Sequence, residues 1–187
     1  MDSLCKGKFD DLIKYLKQVM DYCPKDHFLD GPRSSALRYD ISADLLKVEH
    51  EVAFLARMGL ESDYYDNAHM NVQMFMLSYD QKTFAIEVPL WLTHDELECF
   101  EDLFESKLSL SGHIDIVRIE NGKIWIWDFK PRAAKEKHAS TQVFFYALML
   151  CKRTGVSMDN FMCGYFDDKD VYVFDPSKIK VETLLKK

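Results

Sequence analysis

A chain of 187 residues, 48% hydrophobic and 13% aromatic, is long enough to bury one sizeable core and is not a disordered polymer. Its net charge of −7, from 24 Lys+Arg against 31 Asp+Glu, argues against a generic nucleic-acid coat. It leaves room for an enzyme whose carboxylates hold metal and whose basic residues gather at one groove. No apolar run approaches the roughly 18–20 residues of a membrane span, and the N-terminus lacks the apolar stretch of a signal peptide. Five cysteines without regular spacing fit a reducing compartment better than a disulfide framework. The expectation is one cytoplasmic domain over 1–187 with no membrane partner. Its N-terminal part is helical to about residue 60 and its core runs from about 70 to 175.

Taken in chain order, Phe9, Leu12, Ile13, Leu16, Val19 and Met20 recur at helical spacing and predict a first helix over 7–22. "CPKDHFLDGPRSS" reads as a loop. A second helix is predicted over 41–58 from the stripe Ile41, Leu45, Val48, Val52 and Leu55, with Gly59 as its stop. "NVQMFMLSY" and "TFAIEVPLWL" read as a strand pair turning at "DQK". Thr93 and Glu96 form a capping-box pattern that opens a helix to about Phe104. Two alternating strands then flank Asn121-Gly122, a dipeptide suited to a tight I′ turn. A helix over 140–153 follows, and "NFMCGYF" with "DVYVF" closes the chain as a last strand pair. Helices interleaved with strand pairs predict an α/β (α+β) fold with a mixed central β-sheet flanked by helices.

The hairpin "SGHIDIVRIENGKIWIWDFKP" carries charges where a core strand should have none. By alternation Asp128 and Lys130 share a face with Ile124 and Ile126, while Trp125, Trp127 and Phe129 take the other. If the turn sets the register, Asp115 and Asp128 meet across the two strands. Paired carboxylates in a partly apolar setting repel unless a cation lies between them, and oxygen ligands suit Mg²⁺ or Mn²⁺. A lysine beside such a cation can orient water or neutralise charge as a phosphoester is attacked. Asp/Glu-x-Lys alone decides nothing, because it occurs at Asp80-Lys82, Glu105-Lys107, Asp128-Lys130 and Asp167-Lys169. Only the third ends a strongly apolar strand beside another aspartate; its bland reading is a salt-bridged pair on an edge strand.

"GHID", "WDFK" and "QVFFYAL" resemble the three signature blocks of the PD-(D/E)xK nucleases, in particular the RecB-type branch. The matching residues are Gly112 and Asp115, Asp128 and Lys130, and Gln142 and Tyr146, and Glu87 in "EVPLWL" is similar to a glutamate on the preceding strand. The resemblance implies a restriction-endonuclease-like core and a metal-dependent nuclease that leaves 5′-phosphate ends. Asp115, Asp128 and Glu87 would hold Mg²⁺ or Mn²⁺, aided by the main-chain carbonyl of Phe129. Lys130 would activate water, and Gln142 and Tyr146 would border the site. The branch also places a histidine on an early helix, which favours His50 as a ligand. Helical phase favours Glu51 instead, and Glu49 is the third candidate. No late group of close-spaced cysteines is present for the iron–sulfur cluster that some members carry, so none is expected.

Arg132, Lys135 and Lys137 follow the site and read as a phosphate-binding rim for DNA or as ordinary solvated charge. The expected activity is DNA hydrolysis, exonucleolytic rather than endonucleolytic. The alternative is a nuclease-fold module that binds nucleic acid or a partner protein without cutting. A nuclease active only within a larger protein complex is a third option.

Overall fold

Strands that are apolar on both faces must be covered by helices on both faces, and the arrangement meets that demand. The computed structural model describes residues 7, 9–41 and 45–185. Among these, six strands form one sheet: β1 (Leu46–Val48), β2 (Thr83–Leu92), β3 (Leu110–Glu120), β4 (Lys123–Phe129), β5 (Phe161–Phe166) and β6 (Val171–Phe174). Their spatial order is β1-β6-β5-β4-β3-β2. Every neighbouring pair is antiparallel except β4 and β5, which are parallel. That parallel pair requires a crossover, and α5 (Ala139–Thr154) supplies it.

One face of the sheet packs on α1 (Asp10–Asp21), α4 (Phe100–Phe104) and α5, burying Ile114, Val117, Ile124 and Ile126. The other packs on α2 (Glu51–Ser62) and α3 (Ala68–Tyr79), burying Ile116, Trp127 and Phe129. The mixed sheet flanked by helices is the architecture expected from the sequence. The capping box also forms, with Thr93 N donating to Glu96 Oε2 at 2.8 Å, although it opens a 3₁₀ turn ahead of α4.

Two elements differ from expectation. "NVQMFMLSY" is not a strand but most of α3, and "DQK" joins a helix to a strand. This helix packs beside α2 on the sheet and buries Asn71, Val72, Gln73 and Met76, while Met70, Leu77 and Tyr79 are exposed, so no apolar stripe marks it. The second helix does not run over 41–58: residues 46–48 form the edge strand β1, α2 starts at Glu51, and residues 42–44 lie outside the described residues. Gly59 is not a stop. It lies inside α2 where a Cβ would come 2.8 Å from Val72 Cα, so it is the contact that lets α2 and α3 approach.

A buried cation locks these helices to the sheet. Arg118 is wholly buried on β3, with Nε 2.7 Å from Asp80 Oδ2, Nη1 3.0 Å from Glu120 Oε2 and Nη2 2.5 Å from Glu51 Oε1. Burial alone would raise the Asp80 carboxyl, but hydrogen bonds from Arg118 and Thr83 outweigh it and hold Asp80 below its usual range. Glu51 is lowered in the same way, against burial, by Lys82 and Arg118. Carboxylates with depressed folded-state pKa values stabilise the fold above their unfolded values of about 4 and lose that effect as pH falls through the folded ones. Arg118→Met should therefore cost about 3 kcal/mol near pH 7, since it strands Asp80 without its partner. Urea unfolding should show the gap from the parent protein shrinking below about pH 4, as these carboxylates protonate.

Candidate active site

The site begins at a turn distant from it. Asn121 and Gly122 both have positive φ, 49° and 70°, which is the I′ geometry an Asn-Gly pair tolerates. The turn fixes the ladder from Glu120↔Lys123 to Ile116↔Trp127, where β3–β4 pairing stops. At the next position Asp115 turns its carboxylate into the seam, and its Oδ2 accepts from Phe129 N at 2.9 Å. On the other side of β3, Glu87 interrupts β2 with φ 50°, between the pairs Ile86↔Ile116 and Val88↔Ile114. A non-glycine residue in this conformation is strained, and such strain clusters at functional positions. Alternation breaks here, for Ile114 faces the α5 core and Ile116 faces the α2–α3 core.

Into the opened seam α3 delivers His69, whose Nε2 lies 2.9 Å from Asp115 Oδ2. His69, Glu87 and Asp115 each present a ligand atom within 4.8 Å of the others. Burial alone would lower the His69 pKa, but the hydrogen bond to Asp115 and the Asp115 and Glu87 charges raise it overall. Gln73, one helical turn further, donates to Glu87 Oε1 and ties that residue of β2 to α3. Asn67 caps the helix, its Oδ1 accepting from His69 N at 2.8 Å.

From the α5 side comes Asp128, 1% exposed. Its Oδ1 is buried without a hydrogen-bond partner among the described residues. Burial, and then the nearby Asp115 charge, hold its carboxyl well above the usual range. Lys130 Nζ lies 2.7 Å from Asp128 Oδ2 and donates to Gln142 Oε1 at 3.0 Å. Burial would depress the lysine, but the Asp128 charge prevails and raises it. Gln142 Nε2 donates to Tyr146 Oη at 2.7 Å, so the two α5 side chains brace the lysine in series. Gly112 completes the frame, since a Cβ there would sit 2.5 Å from Tyr146 Cε1 and equally close to Ser34 Oγ. Gly112→Ala should cost about 1–3 kcal/mol through overpacking. A lower Tm in thermal unfolding, relative to the parent protein, is the result that checks it.

The structure thus gathers Asp115, Asp128, Lys130, Gln142, Tyr146 and Glu87 around one seam, while Arg132, Lys135 and Lys137 lie exposed beyond it. It does not bring His50 there. His50 caps α2 through Nδ1, which accepts from Val52 N at 3.3 Å, and packs against Trp125 and Trp127 with Nε2 3.4 Å from Glu120. Glu120 is at the turn end of β3, away from Asp115, so the expectation of His50 as a ligand is corrected: the helix histidine at the seam is His69. Glu51 is likewise committed to Arg118 and Lys82. The remaining Asp/Glu-x-Lys copies are structural. Asp80 serves Arg118 and Thr83, and Glu105 ends α4 with φ 49°. Asp167 accepts from Lys169 N and Asp170 N, and also from Ala133 N, which ties down the turn after Lys130.

This geometry has a counterpart among known families. The family model of the PD-(D/E)XK nuclease superfamily matches residues 14–185. The chain belongs to the PD-(D/E)XK nuclease superfamily. Comparison with curated proteins gives no match. In this superfamily member the match spans all six strands and all but the start of α1, so the histidine-bearing α3 and the sheet lie within the matched region. Among the described residues no helix is long and apolar enough to cross a membrane.

Proposed function

We propose that the chain is a metal-dependent nuclease of RecB type that hydrolyses DNA phosphodiester bonds, exonucleolytically rather than endonucleolytically. The observation that carries this reading is the buried Asp128 carboxylate. It sits beside Asp115 with one oxygen lacking a donor, next to the cluster of His69, Glu87 and Asp115. Such an arrangement is costly unless a cation relieves it. The donor set fits one: Asp115, Asp128 and Glu87 with the Phe129 carbonyl offer oxygens, and His69 adds an imidazole. Carboxylates suit Mg²⁺ and Mn²⁺ alike, and the imidazole tilts the preference towards Mn²⁺. A cation there would polarise the phosphate and lower the pKa of water.

The chain's own groups do the rest. Lys130, held between Asp128 and Gln142, donates a hydrogen bond to the phosphate oxygen that gains charge and so positions the phosphate for the attacking water. The water oxygen loses a proton to solvent and bonds to phosphorus as the bond to the 3′-oxygen breaks, and the 3′-oxygen takes up a proton from solvent, leaving a 5′-phosphate and a 3′-hydroxyl. Tyr146 and Gln142 keep the lysine from swinging away. Arg132, Lys135 and Lys137 supply positive charge along the approach of the strand.

Incubation with linear, circular and single-stranded DNA, with Mg²⁺, Mn²⁺ or EDTA, tests the reading. Metal-dependent loss of linear but not circular DNA, with Mn²⁺ at least as effective as Mg²⁺, is the expected result. No metal-dependent cutting of any substrate would overturn it in favour of a binding module.

A further inference from the structure

A cleft opens beside the lysine, lined by Ser35, Arg38, Lys130, Lys135, Lys137 and His138, with Gln142 at its inner wall. In a chain of net charge −7 this cleft gathers four Lys or Arg side chains and a histidine, with Glu136 its one carboxylate. Its outer wall comes from a segment before the sheet. That segment is built in place rather than draped. Arg33 bridges to Ser111 of β3, Ser34 is buried against Gly112 and Tyr146, and the Tyr39 carbonyl accepts from Thr141 Oγ1 at 2.7 Å. Between these anchors Arg38 is exposed at the cleft. Its Nη1 donates to the carbonyls of Ser35 and Leu37, which leaves Nε and Nη2 without a partner among the described residues. A guanidinium with its backbone fixed and one fork edge open is suited to a phosphate, which it meets with two parallel hydrogen bonds. Lys130 belongs both to this cleft and to the Asp128 pair, so a phosphate seated here neighbours the reacting one.

We propose that this cleft is a phosphate-binding subsite, with Arg38 as its anchor and Lys135 and Lys137 as its rim, which holds the strand phosphate adjacent to the scissile one. The inference rests on the nuclease reading for the identity of the strand, but its test does not depend on cleavage.

The test is fluorescence anisotropy of a labelled single-stranded oligonucleotide on the full chain, in EDTA, across a salt series. Arg38→Ala should weaken binding several-fold and flatten the log–log salt dependence by about 0.7, the share of one phosphate contact on a single strand. Arg38→Lys should keep the slope and lose part of the affinity, because the charge stays and the fork goes. Lys107→Ala, on an exposed side chain that follows α4 and does not line the cleft, removes the same charge and should change neither. An Arg38→Ala protein that matches the parent, or that differs from it no more than Lys107→Ala does, would overturn the proposal. Oligonucleotides with 5′-phosphate and 5′-hydroxyl ends identify the source of the phosphate. Equal affinity places an internal phosphate in the cleft, as proposed. A 5′-phosphate preference that disappears in Arg38→Ala would overturn the internal assignment and make the cleft a receptor for strand ends. Arg38-dependent binding without any cutting in Mg²⁺ or Mn²⁺ would support the subsite and defeat only the hydrolase reading.

Discussion

Lys130→Ala is expected to lower metal-dependent cleavage by about 10²–10³-fold, the range for removing one preorganised donor aimed at developing charge. The loss should fall on turnover rather than on binding, because the lysine acts on the charge that develops as phosphorus is attacked. Its removal leaves the Asp115, Glu87 and His69 ligand set intact. Stabilisation of the folded chain by Mn²⁺, read as a rise in Tm over EDTA, should therefore survive in the variant. A protein that cuts as fast as the parent would show the chemistry to lie elsewhere. One that loses both cutting and the Mn²⁺-induced rise would make the lysine a structural prop of the metal site.

Asp128→Asn should separate stability from activity in the opposite sense. The parent side chain is buried, has an oxygen with no donor, and faces the charge of Asp115. Removing its negative charge relieves that repulsion. Lys130, which loses its ion-pair partner, is 22% exposed and keeps its bond to Gln142, so it can still be solvated. In EDTA the variant should melt no lower than the parent, and higher by about 2–4 °C for each kcal/mol of repulsion relieved. It should show no cleavage and little or no rise in Tm with Mn²⁺. A variant markedly less stable in EDTA would mean that the carboxylate is satisfied without a cation, and the case for a metal at this seam would fall with it. Functional sites hold such destabilising groups because the bound state, not the free one, uses them.

The legibility of this chain followed the locality of its signals. The β3–β4 hairpin, with its Asn-Gly turn and strict alternation, and α5, with its regular spacing, could be read because neighbouring residues alone determine them. The seam residues Asp115, Asp128 and Lys130 were conspicuous as charges on otherwise apolar strands. α3 was hidden because polar Asn71 and Gln73 sit on its buried face while Met70, Leu77 and Tyr79 are exposed, which removes the periodic stripe that marks an amphipathic helix. A strand over 71–79 leaves His69 no helix to sit on, so the sequence alone offers His50 for the histidine role. Asn67, a good cap followed by a run without proline or glycine, was the local signal that could have restored it. Arg118 looked like one more strand charge. Its burial depends on Glu51 and Asp80 arriving from the start of α2 and the end of α3 to join Glu120 of its own strand, and no local pattern encodes those two.

The two-residue turn at Asn121-Gly122 also bears on how this chain can diversify. A strand presents alternate residues to opposite faces, so a single residue gained or lost at that turn would invert one strand of the hairpin relative to the other. Asp115 and Asp128 would then part company, although the change lies six residues from either of them. Connections that carry no register, such as residues 63–67 before α3 or 105–109 before β3, face no such restriction. Length variation compatible with catalysis should accumulate in those connections, while the shortest and most exposed turn of the hairpin stays fixed in length.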